Sequence, residues 1–396
     1  MKRHILFIVE NNPVPPDVRV WKEINAAKEF GYDVSVICPK HENYPLKYER
    51  IQGVDIFRHN VPKDKESKLS FIGEYLNALI WEFYLSLKLY LKKPFHIIHS
   101  ANPPDHIFII AIFYKIFNVK FIFDHHDLSP ENYVAKFGSK DFMYKILLIM
   151  ERFTFFTSNL VISTNESYKK IAIDRGGLCE SMIYVVRNGP NLDDINFKKP
   201  NPKWKNGHQY LVSYVGAIGT QEGLENLLEA IHYLVYDKNI SSIMFIVIGN
   251  GPDRERLIIR SKKLKIQNFI NFTGYIPYDD LYEILETSDL CVNPEHCNEF
   301  TDKSTMIKIM DYMTFGKPTV MFKTTEGKVT AKQSAVYVNK NNNILFAETI
   351  LDLLKKPDLR EEMGAYGKER IKNLLHWGIQ KRHLESAYKH LIQNSF

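Results

Sequence analysis

Ser304, Lys308 and Asp311 lie four and three residues apart in DKSTMIKIMDYMTFGKP, residues 302–318. On one helix that spacing places a hydroxyl, an amine and a carboxylate on the same side. Met306, Ile309, Met310 and Met313 fill the rest, and Gly316 and Pro318 supply the stop. Asp302, Ser304 and Thr305 offer caps at the start and leave backbone N–H groups free. A helix N-terminus flanked by Lys303 and Lys308 is an anion site of the kind that holds phosphate. The plainer alternative is an amphipathic helix with a surface Lys308–Asp311 pair, worth roughly 0–1 kcal/mol.

Glycine turns form a second group. VGAIGTQEGLENLLEAI reads as strand, turn and helix, with Gly216, Gly219 and Gly223 letting backbone approach a ligand and a helix starting near Leu224. IVIGNGPDRERL repeats the arrangement at Gly249 and Gly251, and FTGYIPYDDLYEIL supplies a third loop with Tyr275 and Ile276. FDHHDLSPE gathers His125, His126, Asp127 and Glu131 at a strand end. Neighbours on a strand point to opposite faces, so the first three are not expected to share a metal. The pair Asp193-Asp194 lies in a linker, and no metal is expected there either.

The elements that must position these residues alternate from end to end. HILFIVE, DVSVICP, HIIHSA, KFIFDHH, NLVIST and IYVVRNG read as strands in the first half, with helices at Val18–Phe30, Leu69–Leu91 and Ser139–Phe156. QYLVSYVGAIG, IMFIVIGNG, NFINFTGYI, LCVNP and PTVMF repeat the pattern after a Pro-, Asn- and Gly-rich linker at Asn188–His208. Alternation of this kind means βαβ units and parallel sheets. The expectation is α/β, with two Rossmann-like domains that each aim strand-end loops at a cleft. Their bounds are 1–195, 196–375 and a C-terminal helix, 376–396, packing back on the first domain.

Composition narrows the class. The 396 residues are 45% hydrophobic and 25% charged, as in a globular chain. The net charge of +6 suits a phosphorylated ligand or an anionic membrane surface. No basic block or aromatic-basic platform points to nucleic acid. Cys38, Cys179, Cys291 and Cys297 lack paired metal spacing, which fits a reduced, cytoplasmic protein. MKRHILFIVENN has too short an apolar core for a signal peptide, and no stretch has the length of a membrane-spanning helix.

The succession of glycine turn, IGNGP, FTGYIP, SDLCVNP and a helix ending YMTFGKPTV resembles the retaining glycosyltransferases of family 4. DVRVWKEINAAKEFGYDVSVI, HSANPPD, FDHHDLSPE, VISTNESYKKI and YVVRNGP extend the resemblance over essentially the whole chain. It implies the GT-B fold and a nucleotide-diphosphate-sugar donor held mainly by the second domain, UDP by default. The pattern DKST…K…DYM is similar to a subgroup from capsule, O-antigen and lipopolysaccharide biosynthesis. The family's two glutamates, eight positions apart, correspond here to Lys303 and Asp311. Its basic pair in the glycine turn corresponds to Ala217 and Glu222, so both charges are missing. Lys303 and Lys308 are the substitutes expected to compensate charge developing on the diphosphate.

The resemblance further implies that His126, paired with Asp127, lies near the transferred sugar and that Asp311 binds the ribose. Gly216, Gly219, Gly249, Gly251, Tyr275, Ile276, Lys303, Ser304, Thr305 and Glu326 would line the donor site. Glu10, Asp17 and Arg19 in ENNPVPPDVRVWKE would border the acceptor, although Asp17 could simply cap the first helix. The activity implied is hexosyl or N-acetylhexosaminyl transfer, without metal or other cofactor, to a glycan or polyprenyl-linked glycan. The alternatives are a GT-B epimerase, a phosphorylase, or a non-catalytic partner subunit that binds a nucleotide sugar. The aromatic helix from Leu69 to Lys93, with Phe71, Trp81 and Phe83 flanked by Lys88, Lys92 and Lys93, is either core or a peripheral patch on the inner membrane face. FMYKILLIMERFTFF has the same character.

Overall fold

A computed structural model describes residues 2–60, 68–339 and 341–393, without the side chains of 68–72 and 74. The chain divides into two compact units, Met1–Asn188 with Gln380–Phe396, and Gly189–Ile379.

The first unit is built on an eight-stranded sheet: β1 (His4–Val9), β2 (Asp33–Pro39), β3 (Tyr48–Ile51), β4 (Val54–His59), β5 (Ile97–Ala101), β6 (Lys120–His125), β7 (Leu160–Ser163) and β8 (Ile183–Val185). Their order is β3-β4-β2-β1-β5-β6-β7-β8, parallel except for the β3–β4 pair. Central strands such as β1 are buried along their whole length, as expected of a sheet covered on both faces. The chain runs outward from β1 in both directions, so the crevice at the strands' carboxyl ends opens between β1 and β5.

Five helices matter below: α1 (Val18–Glu29), α2 (Lys68–Lys92), α3 (Phe108–Lys115), α4 (Ser129–Phe137) and α5 (Phe142–Thr157). Asp17 caps α1, accepting from the Val20 amide at 3.0 Å. α5 starts at its Asp141 cap, not at Ser139 as the pattern suggested, because that carboxylate takes the Met143 and Tyr144 amides. The helix Trp377–Gln393 ends in this unit, where buried Tyr388 places its hydroxyl 2.7 Å from His99 Nδ1.

The second unit repeats the scheme with β9 (Tyr210–Val215), β10 (Ile243–Ile248), β11 (Ile270–Gly274), β12 (Leu290–Asn293), β13 (Thr319–Phe322) and β14 (Ala335–Val338). The order β11-β10-β9-β12-β13-β14 is all parallel, with the switch point between β9 and β12. The core on one face packs Leu227, Leu228 and Ile231 against Val212, Phe245 and Val247.

The stretch 302–318 is not one helix. It forms the end of a short helix, Glu299–Lys303, and then a separate helix, Ile307–Thr314. Asn298 and Thr301 close a capping box on the first. Ser304 ends it by turning its hydroxyl back to the Phe300 carbonyl at 2.8 Å, while its own backbone is extended.

Candidate functional site

In the second unit, the loops after β9, β10 and β11 are laced together by backbone. The Gly216 amide donates to the Ile248 carbonyl at 3.0 Å, and the Gly249 amide to the Gly274 carbonyl at 3.1 Å. A Cβ on Gly249 would stand 1.9 Å from the Gly216 carbonyl oxygen, and one on Gly251 2.3 Å from that of Ile218. These two glycines therefore let loop pack on loop. Gly219 has open space around it, and Tyr275 is 83% exposed beside the half-buried Ile276. Buried Tyr312 accepts the Val215 amide at 2.9 Å, fixing the end of β9 at the switch point.

The Ile307–Thr314 helix opens at that edge, and Met306 at its cap position makes no side-chain cap hydrogen bond. Its first-turn Lys308 is not a free cation. It pairs with Glu222, lies 3.0 Å from the Tyr214 hydroxyl and approaches Glu295 at 3.8 Å. Burial, with Glu222 alongside, pushes the Glu295 carboxyl up to about 7 against the pull of Lys308. Lys308 thus belongs to a Lys308–Glu222–Glu295 cluster. The acidic residue standing where the family pattern carries a base reaches across to this lysine. Asp311 is half-buried, close enough to Tyr282 to help raise its phenol pKa, after burial and Tyr278.

Lys303 and Thr305 are half-buried, on either side of buried Ser304. Glu326 is buried in the Thr325–Ala331 helix, which Thr324 caps at Gly327. A cavity of about 550 Å³ beside that helix is lined by Asp302, Lys323, Thr324, Thr325, Lys328 and Asn339.

In the first unit, alternation along β6 sends His125 into the core, while Asp124 and His126 share the other face. Burial pushes His125 down to about 3, and its ring packs on Phe155 and Tyr168. His126 Nε2 sits 2.6 Å from Arg19 Nε and 2.5 Å from Asp124 Oδ2. Arg19 also donates to the Val186 carbonyl at 2.8 Å and pairs with Asp124 at 3.0 Å and Glu23 at 3.1 Å. Burial opposes ionisation of Asp124, yet Arg19 and His126 hold it well below the usual carboxylate range. Arg19 is therefore a buried brace for His126, and Asp17 is the cap of α1. The carboxylate on His126 Nε2 is that of Asp124, while the His126 ring also acts electrostatically on Asp127. Asp127 follows through its backbone: Asn102 Oδ1 accepts the His126 amide at 2.6 Å and the Asp127 amide at 3.1 Å. Glu131 is tied to Arg175 at 2.9 Å, and Glu10 to His106 at 2.9 Å. Asn102 and Glu23 were not singled out from sequence, because only the fold brings them to these partners; Asp124 was missed although strand alternation places it on the face of His126, and Glu222 was marked only for the base it replaces.

Helices α2, α3 and α5 all carry exposed apolar side chains. Phe83 packs inward on Phe113, Tyr90 meets Phe117, and Phe108 stacks on Phe153. Outward lie Leu76, Ile80, Trp81, Tyr84 and Leu91, then Ile112, Ile116 and Phe117, then Ile149 and Phe156. Ile116 and Phe156 are 78% and 80% exposed. The core alternative thus holds for Phe83 and fails for Trp81; the Phe71 side chain lies outside the described residues. No described helix is long and apolar enough to cross a membrane. All four cysteines are free.

Residues 196–370 match the family described as glycosyl transferases group 1, and residues 18–194 match glycosyltransferase family 4. A capsular polysaccharide biosynthesis glycosyltransferase, CapM of Staphylococcus aureus, is 24% identical over 267 residues, covering 65% of this chain and 68% of that protein. Sucrose-phosphate synthase from Thermosynechococcus elongatus superposes with a TM-score of 0.78 at 16% identity, over 99% of this chain and 100% of that one. The Anabaena protein Alr3699/HepE, solved in complex with UDP, gives a TM-score of 0.71 at 13% identity, over 98% and 100% of the two chains.

Proposed function

The chain belongs to the group 1 glycosyltransferases of family 4, with the GT-B fold, and from that premise we propose that it moves a sugar from a nucleotide-diphosphate donor, UDP by default, to a surface-polysaccharide acceptor. The observation that carries this reading is the convergence of the Gly216, Gly249 and Gly274 loops with an N-terminus that lacks a side-chain cap, that of Ile307–Thr314, at one sheet edge. A helix N-terminus without a side-chain cap suits the diphosphate, and Lys303 is the nearby side chain assigned to it. Asp311 is assigned to the ribose hydroxyls, Tyr275 and Ile276 to the base, and His126 to the transferred sugar.

Retention follows from a front-face route in which the leaving diphosphate takes the acceptor proton, so neither a strong protein base nor a metal is needed for the step. The apolar surface over α2, α3 and α5, with Lys88, Lys92, Lys115 and Lys145 on the same helices, supports a polyprenyl-linked acceptor presented at an anionic bilayer. Exposed aromatics such as Trp81 and Phe156, with isoleucines such as Ile80 and Ile116, suit the interfacial zone better than bulk water.

The test is incubation with a panel of nucleotide sugars, following nucleotide diphosphate release and the anomeric configuration of the product by NMR. Release with retained configuration supports the reading. Isomerised sugar nucleotide points to an epimerase instead, and binding without turnover to a partner subunit. The last outcome has one specific observation in its favour, the neutralisation of Lys308 by Glu222. Asp311→Asn should weaken UDP binding at unchanged melting temperature; intact affinity removes Asp311 from the site.

A further inference from the structure

The first unit holds a second polar cluster, apart from the Arg19–His126 network. Glu10 leaves the end of β1, His106 follows the turn after β5, and Glu82 projects from the middle of α2. One ligand atom from each lies within 4.8 Å of the others, and all three residues are buried. Glu10 Oε2 and His106 Nε2 are 2.9 Å apart. His59, at the end of β4, approaches Glu82 Oε1 through Nε2 at 3.8 Å. Four different elements thus bring two carboxylates and two imidazoles to the strands' carboxyl edge, beside the β1–β5 switch point.

Two observations point beyond a mere gathering of polar groups. Glu82 is fully buried, and neither of its carboxylate oxygens has a hydrogen-bond partner among the described residues. His59 Nδ1 lies 3.2 Å from the Asn60 carbonyl. With the proton assigned to Nδ1, that contact turns the bare Nε2 lone pair toward Glu82. A histidine whose far nitrogen donates to a backbone carbonyl is arranged as metal-binding histidines are. A lone pair facing an unpartnered carboxylate in a dry interior is unfavourable unless something positive lies between them. In the other cluster of like composition, Glu23, Asp124 and His126, that positive charge is the Arg19 guanidinium. Among the described residues, Glu82 has no lysine or arginine partner, only His59.

We propose that Glu10, Glu82 and His106, with His59 beside them, bind a divalent transition-metal cation. Mixed carboxylate and imidazole ligands favour a borderline ion such as Zn²⁺ over a hard one. The ion would fasten α2 to the ends of β1, β4 and β5. It takes no part in the sugar-transfer step, and the proposal stands independently of that reading.

The test uses the full chain, dialysed against EDTA and then exchanged into chelator-free buffer, with no sugar donor present. Zn²⁺ is titrated by calorimetry and by thermal shift, and Co²⁺ by visible absorption. The expected result is one saturable equivalent, a rise in melting temperature and a Co²⁺ ligand-field band. Glu82→Gln and His106→Ala should each weaken Zn²⁺ binding at least about tenfold and lose the Co²⁺ band. If Glu82→Gln does not fold, Glu10→Gln carries the same comparison. Absence of saturable uptake by the parent chain, or uptake undiminished in the variants, overturns the proposal and leaves a proton held by Glu82 as the answer.

Discussion

Arg19 and His126 stand 107 residues apart in sequence, yet Nε and Nε2 meet at 2.6 Å in a buried network. The same guanidinium reaches Asp124, Glu23 and the Val186 carbonyl, so the candidate sugar-contacting histidine is held by a residue from the first helix.

Removing that brace should cost stability first. Arg19→Ala leaves Asp124 and Glu23 buried without their cation, and should destabilise the protein by roughly 3–5 kcal/mol. Urea unfolding measures it. A variant with normal stability but a raised KM for the acceptor would return Arg19 to the acceptor surface.

Glu222 restrains Lys308. Glu222→Gln should therefore release the ammonium for the donor diphosphate and tighten UDP binding about five- to tenfold, on the order of 1 kcal/mol, with the gain shrinking at high salt. Calorimetry against UDP reads it directly. Unchanged affinity would mean that Lys308 serves only the fold.

Glu295 gives the stability a pH dependence. Burial lifts its carboxyl from 4.5 to about 7 in the folded chain, so the folded state holds the proton more tightly than the unfolded one. That contribution is complete below about pH 4.5 and is lost as the pH rises through 7, with a limiting slope of about 1.4 kcal/mol per unit. Glu295→Gln, which mimics the protonated acid, should flatten the decline in urea midpoint between about pH 4.5 and 7. An identical decline in both proteins would assign the titration elsewhere.

The apolar surface predicts vesicle binding. The double variant Ile116→Glu/Phe156→Glu should abolish co-sedimentation with anionic vesicles while leaving the melting temperature near the parent's, since both side chains are exposed. A parent chain that stays in the supernatant at low salt would favour a soluble acceptor.

Much of the architecture could be read from the chain, because central parallel strands are short unbroken apolar runs and their ends carry glycine. The strands β3, β4 and β14 escaped: β3 is YERI with an alternating exposed edge, and β14, AVYV, is a half-buried edge strand. The break within 302–318 escaped because Ser304 looks like an N-cap by type and acts as a C-terminal stop by hydrogen bond. Site chemistry was harder still. Arg19 at His126, Glu222 at Lys308 and His59 at Glu82 come from distant elements, and no local spacing encodes these contacts.

The contact between Gly216 and Gly249 constrains how this protein can change. Any side chain at 249 would drive into the carbonyl of 216, only 1.9 Å from the new carbon. No single substitution at 249 can therefore be absorbed by a neighbouring side chain giving way; the β9 loop itself would have to be redrawn. Variation that retunes the proposed donor site is thereby steered toward positions such as Glu222 and Tyr275, where the backbone can stay as it is.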